Sequence, residues 1–395
     1  MESIQFEDFF IIPRNIYRII GRDPLKMTKT TENNGTLFRV YGVLMFIYYT
    51  YLVTGEAVNI YFLFNENILW SFGAASCVFF CLTGHFKEIS FALSNKAVLN
   101  AVAELRDMFP KEVKLQKEYK VQEYFHATHF MLKVFVSVCF GFAFGWAAYP
   151  TIKSTIKLII FGPPYERELA YFIYYPYDPF ENNWYYILTF IGEFNGACMA
   201  AAFFLSVDLI LLVIVQNCCM HFDYIAMKIE TYSPSQNDED DSQFLNGLVE
   251  LHIKILKLSS VINDAFQLCI LFNFFISSIN SCLIAFPILF GGLEDAIKGS
   301  LFLAACLLQV WIICFMGQML IDSSESIGGA VYNHPWYTGS TSYNRQLLII
   351  LQRSQKAATL KPPTMKPSSR QLFMEVMTTT YRFFCLMKTM FGDRF

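Results

Sequence analysis

The fold class this sequence predicts is an all-α membrane protein with seven transmembrane helices. Its N-terminus should be cytosolic and its C-terminus extracellular, with cytosolic helical extensions forming an anchor region. Three observations carry the expectation. Of 395 residues, 54% are hydrophobic and only 16% charged, against roughly a quarter charged in ordinary globular chains. Several apolar runs reach the roughly 18–20 residues that a helix needs to cross a bilayer. Basic residues also concentrate in alternate loops, which sets orientation.

The N-terminal stretch has acids at Glu7 and Asp8 ahead of any basic region, so it does not resemble a signal peptide. Ile4, Phe9, Ile11, Ile12, Ile16, Ile19 and Ile20 fit a short re-entrant or membrane-surface helix. Spans follow near 37–64, 69–93, 126–149, 184–217, 259–290 and 299–321. A seventh near 371–391 is interrupted by Glu375, Arg382 and Lys388.

Arg14, Arg18, Arg22, Lys26 and Lys29 lie before the first span, and six Lys or Arg residues lie in 94–125. The opposite loops are poor in them, which puts the N-terminus inside. The sequon Asn34-Gly35-Thr36 is then cytosolic and should carry no glycan. In the 218–258 loop, the acids Asp238 to Asp241 lie among Ser and Gln, which predicts a mobile, solvated tip. Helical patterns on both sides carry spans four and five well into the cytosol.

Several function classes drop out. A net charge of −3 gives no bulk attraction for nucleic acid. None of the 11 cysteines falls in an outer loop, so no extracellular disulfide framework is expected. Cys218–Cys219 could be palmitoylated at the inner end of span four, although small apolar residues at a helix end explain them more simply. Glu123-x-x-His126-x-x-His129 has metal-ligand spacing, but no second motif completes a site. No phosphate loop, nucleophile elbow or zinc-protease motif occurs, so neither an enzyme nor a cofactor is expected.

Ionisable residues inside spans are costly and often functional. Glu56, Glu193, Asp208 and Lys133 are such positions. For Glu193, a ligand-pocket role and interhelical hydrogen bonding are both open. Aromatics crowd the outer ends of spans three and four, with Gly141, Gly145, Gly192 and Gly196 leaving room beside them. A cavity with such walls suits a small, volatile, apolar ligand. Candidate contacts are Phe72, Ser76, Phe142, Trp146, Tyr149, Phe190, Phe194 and Met199.

At helical spacing the last span has two faces. One collects Glu375, Thr378, Thr379, Arg382, Leu386, Thr389 and Met390; the other collects Leu372, Val376, Phe383, Phe384, Met387 and Phe391. The first is too polar for lipid. Several copies around an axis would enclose a pore with Arg382, Leu386, Thr389 and Met390 on its wall, narrowed at Leu386 and Met390. The cationic, amphipathic helix near 342–357 could then pack in the cytosol against its neighbours' equivalents.

The C-terminal third resembles the insect odorant receptor family. The resemblance rests on Gly317, Ala330-Val-Tyr332, Trp336-Tyr337, Leu347-Leu348, Arg353-x-Gln355-Lys356-Ala357, Leu360, Leu372-Phe373 and Thr380-Tyr381-x-Phe383-Phe384-x-Leu386. Chain length, span number and the "YYPYDP" stretch at 174–179 support it. It implies a ligand-gated, non-selective cation channel in the plasma membrane of olfactory sensory neuron dendrites. An odour-specific subunit and a co-receptor would form a heterotetramer around the last helices. The partners implied are that co-receptor, a small volatile odorant, permeant cations and the lipid bilayer, with no nucleic acid. The co-receptor carries a large insertion between spans four and five, whereas 218–258 is short, which points to an odour-specific subunit. Arg382 departs from the small or uncharged residue that relatives mostly have. The gustatory receptors share this architecture, but Lys388-Thr389 replaces the Gln-Phe ending typical of them.

The expected organisation is a cytosolic N-terminal segment (1–36), spans one to four with an outer ligand pocket (37–217), a cytosolic loop with helical extensions (218–258), spans five and six (259–321), a cytosolic anchor-helix region (322–366) and a pore-lining last span (367–395).

Overall fold

The computed structural model describes residues 3–23, 25, 31–66, 68–162, 167–171, 173–235 and 237–391. The side chains of 31–34, 65–70 and 391 are outside that description, so the expectations for Asn34 and Phe391, and those for Lys26 and Lys29, lie outside the described residues. Among the described residues there are helices and no strands.

A 3-10 turn at Phe6–Phe10 leads into α1 (Ile11–Ile20), which stops at Gly21, at φ 77°. That left-handed conformation favours glycine. A Cβ there would also overlap the backbone of Gly42, so the two glycines let the chain cross itself closely. Phe6, Phe9, Phe10, Ile16, Tyr17 and Ile20 are buried in the main core. This stretch, expected to form a re-entrant or membrane-surface helix, packs against the fourth span. Each large apolar side chain buried this way contributes roughly 1.5–3 kcal/mol.

The remaining helices are α2 (Thr31–Glu66), α3 (Ile68–Met108), α4 (Val113–Glu118), α5 (Val121–Phe161), α6 (Asn183–Thr231), α7 (Asp238–Phe290), α8 (Leu293–Asn333), α9 (Thr341–Ser354) and α10 (Arg370–Phe391). The seven expected spans fall in α2, α3, α5, α6, α7, α8 and α10. At 49 residues α6 is long enough, at about 74 Å, to cross the roughly 30 Å of hydrocarbon and continue far beyond it. Every residue of α6 from 201 to 222 is buried. A helix apolar all round belongs at the centre of a bundle, and α1, α3, α5, α7 and α8 pack around it. Peripheral α2 instead exposes Val40, Val43, Leu44 and Ile47, a face suited to lipid.

Among the described residues, five helices (α2, α5, α6, α7 and α8) are long and apolar enough by composition to cross a membrane. The other two spans, α3 and α10, carry charge. In α3 the charge is neutralised within the protein. Lys87 Nζ lies 2.6 Å from Asp208 Oδ2 of α6, and Gln309 Nε2 of α8 donates to the same oxygen at 2.8 Å. Glu88 accepts from Arg22 at 2.8 Å and from Ser206 Oγ at 2.6 Å. Paired, these groups avoid the cost of isolated charges in an apolar interior.

At the acidic tip 238–240 are exposed, as a solvated tip requires, and the run is helical. Its acids form the first turn of α7, where negative charge meets the positive end of the helix dipole. Asn237 caps that turn by accepting from Glu239 N at 3.1 Å. Asp241 is buried and accepts from Tyr232 Oη at 2.6 Å and Ser235 N at 2.8 Å. Only 232–237 joins the two helices.

Ser340 caps α9, accepting from Tyr343 N at 3.2 Å. Tyr343, Leu347 and Ile350 bury one face of α9 against α7 and α8, while Leu348 and Ile349 stay exposed. The linker to α10 then crosses α8 at Gly317, where a Cβ would overlap the backbone of Ser368. Cys218 and Cys219 are buried.

Candidate functional site

A cavity of about 1530 Å³ opens at the end of the bundle that carries the α5–α6 loop. Its walls come from α2, α3, α5, α7, α8 and that loop. A smaller void of about 40 Å³ shares Cys77, Phe142, Trp146 and Phe302 with it and adds Cys81, Cys139, Ala197 and Ala201. Phe142 stacks on Phe302 with ring centroids 5.5 Å apart and contacts Trp146 at 5.7 Å. Phe80 stacks on Phe204 at 4.2 Å. Space arises where side chains are short. A Cβ on Gly73, Gly141 or Gly145 would meet nothing within 4 Å, and all three line the cavity.

The α5–α6 loop is held over this end by hydrogen bonds. Buried Glu193 accepts from Ala170 N at 3.0 Å and Tyr175 Oη at 3.1 Å. Tyr174 N donates to Gly55 O of α2 at 3.0 Å, and Tyr177 Oη lies 2.9 Å from Thr189 Oγ1. Of the two roles open to Glu193, its contacts are those of a loop anchor. At the rim, Lys153 Nζ is 3.2 Å from both Glu168 and Glu294, and Lys298 Nζ is 2.6 Å from Glu294.

Phe142, Trp146, Ser76 and Tyr149 line this cavity. The other four candidate contacts lie outside its lining. Phe72 stacks on Phe286 at 4.1 Å. Phe194 stacks on Phe144 at 5.0 Å on the outward seam of α5 and α6, with Phe190 beside it. Met199 is buried in the main core, on the side of α6 opposite Ala197 and Ala201, as two-residue spacing on a helix requires. Sequence reasoning did not find Phe80, Tyr171, Phe204 or Phe302. The spans of Phe80, Phe204 and Phe302 are so rich in aromatics that periodicity cannot mark which rings meet, and Tyr171 lies in the α5–α6 loop, where no period applies.

On α10, Leu372 and Met387 are buried against the bundle, while Arg382, Leu386, Thr389 and Met390 are exposed. Thr378, Thr379 and Thr389 turn their hydroxyls back onto carbonyls of their own helix at 2.8–2.9 Å. Glu375 pairs with Lys366 at 2.6 Å. His129 Nε2 lies 3.0 Å from Asp8 O and His126 is exposed; among the described residues no group could hold a metal ion.

This geometry defines a multi-pass, seven-helix membrane protein with a ligand-sized aromatic cavity at one end and an uncovered polar helix face. A profile of the 7tm Odorant receptor family matches residues 69–381. Odorant receptor 67c of Drosophila melanogaster is 32% identical over 392 residues, covering 98% of this chain and 97% of that one. Odorant receptor 85b of the same fly is 28% identical, covering 95% and 97%. The solved insect olfactory receptor OR5 from Machilis hrabei superposes with a TM-score of 0.75 at 15% identity, covering 95% and 96%. Its complex with eugenol gives the same TM-score of 0.75. The chain belongs to the insect odorant receptor family, a family of receptors rather than enzymes.

Proposed function

We propose that this chain is the odour-specific subunit of a heteromeric, odorant-gated, non-selective cation channel in the dendritic plasma membrane of olfactory sensory neurons. Its N-terminus is cytosolic and its C-terminus extracellular, so the aromatic cavity lies in the outer half of the bundle. The observation that carries the reading is the exposed face of α10. Arg382 is a charge that lipid does not accommodate, and ionisable residues in spans face a water-filled cavity or the bundle interior. Around a four-fold axis that face lines a pore, with Leu386 and Met390 as apolar rings able to close it by dewetting. The cavity takes a small volatile odorant against Phe142 and Trp146, in keeping with the eugenol complex of the Machilis receptor. The connection of only 232–237 between α6 and α7 supports an odour-specific subunit over the co-receptor. In this reading α9 builds the shared cytosolic anchor, with exposed Leu348 and Ile349 facing neighbouring subunits.

The test is expression with and without an insect odorant co-receptor, recording current during exposure to a panel of volatiles. Odorant-evoked cation current is expected only when both chains are present, with a response profile that the co-receptor alone lacks. A response profile identical to that of the co-receptor alone would overturn the assignment.

A further inference from the structure

Glu56 is one of two buried carboxyls at this end of the bundle. It lies on α2, is 4% exposed, lines the large cavity, and its Oε1 has no hydrogen-bond partner. A buried acceptor without a partner is expensive, and native proteins keep few of them. Other polar groups of the cavity have partners within the chain. Ser76 spends its hydroxyl on Gly73 O at 2.7 Å. Tyr175 and Tyr177 are bonded to Glu193 and Thr189, and Lys153, Lys298, Glu168 and Glu294 pair at the rim. Glu193, the second buried carboxyl at this end, has both oxygens engaged. Glu56 therefore presents the cavity with an acceptor that nothing in the chain uses.

We propose that Glu56 is the specificity-determining anchor of this cavity, accepting a hydrogen bond from the hydroxyl of an alcohol whose apolar body lies against Phe142 and Trp146. A carboxyl keeps an accepting oxygen whether or not it is protonated. A neutral hydroxyl enters this largely apolar cavity without the loss of hydration that an ammonium would suffer. Binding sites built around one such bond reject analogues that lack the donor, because the site's own polar group is then left unpaired. The receptor should accordingly prefer alcohols to ethers of the same shape. This rests on the cavity being the odorant site.

The experiment uses the full chain purified in lipid nanodiscs, with 2-phenylethanol and its methyl ether as matched probes and thermal stabilisation as the readout of binding. The alcohol should act at about tenfold lower concentration than the ether, the worth of one hydrogen bond. Glu56→Leu should erase that difference while the ether still binds. Glu56→Gln, whose amide oxygen also accepts, should preserve it. Equal half-points for the two probes on the wild-type chain, a preference that survives in Glu56→Leu, or no stabilisation by either probe would overturn the proposal. Current through the complex with the co-receptor is recorded in parallel. Alcohol-selective binding without current would refute the channel reading and leave the role of Glu56 standing.

Discussion

Replacing Lys87 with methionine should strand a negative charge inside the bundle. Lys87 is 0% exposed; its Nζ is 2.6 Å from Asp208 Oδ2 and 3.0 Å from Phe204 O. Two unit charges that close attract by about 6 kcal/mol at an effective dielectric of 20, and burying both ions offsets much of that in the intact protein. Removing one ion leaves the cost of the other. Asp208 would keep only the Gln309 hydrogen bond, so Lys87→Met should lose about 3–5 kcal/mol. Lys87→Met combined with Asp208→Leu removes both charges at similar volume and should recover to within about 1 kcal/mol of wild type, or exceed it. Thermal unfolding of wild type, both single variants and the double variant in nanodiscs closes a double-mutant cycle. Wild-type stability in Lys87→Met, or a double variant no more stable than that single one, would refute the claim that the ion pair balances α3 within the bundle.

Truncating the ring in Trp146→Ala removes contact with Phe142 and Phe302 from a half-buried aromatic, a loss of about 1.5–3 kcal/mol; dose–response curves should shift at least tenfold with surface expression intact. Gly145 faces open cavity, so Gly145→Val should cost larger odorants potency while sparing smaller ones, read across a homologous series. Leu386→Ser should raise basal current by wetting an apolar ring, and Arg382→Gln should raise cation conductance, both measured by single-channel recording of the assembled complex; wild-type behaviour in both would remove α10 from the pore wall. His334 is buried 2.7 Å from Tyr343 Oη, and burial lowers its imidazole pKa below the usual 6.5. The fold thus holds the neutral ring, so its contribution is complete above about pH 6.5 and is lost as pH falls through the lowered folded value; amide exchange across 334–343 should quicken on acidification, and His334→Gln should flatten that dependence.

Much of this architecture was legible in the sequence because one physical quantity dominates it. A run of apolar residues long enough to cross a bilayer must be a helix, since lipid offers the backbone no hydrogen bonds. The seven spans, the long α6 and α7 and the two faces of α10 follow from counting and period alone. Gly317 was singled out as part of a family signature, and its packing supplies the reason: the Ser368 backbone lies where a side chain would start.

What only the tertiary structure decided concerns which residues meet. The N-terminal apolar stretch reads as a re-entrant or membrane-surface helix, and its pattern does not show that Phe9 meets Phe109 and Phe125 or that Tyr17 meets Phe91. The acidic run at 238–241 reads as solvated charge, and 238–240 are exposed, but Tyr232 and Ser235 donate to buried Asp241 and Asn237 accepts from Glu239 N to cap the helix. No sequence pattern pairs Lys87 with Asp208, because 121 residues separate them. Phe302 reaches Phe142 and Trp146 from a helix far along the chain, whereas Phe190 and Phe194, close to the cavity in sequence terms, turn to a different seam. Hydrophobicity is a property of each residue and is written in the chain. A cavity and an ion pair are properties of distances between helices, and those are fixed only when the helices pack.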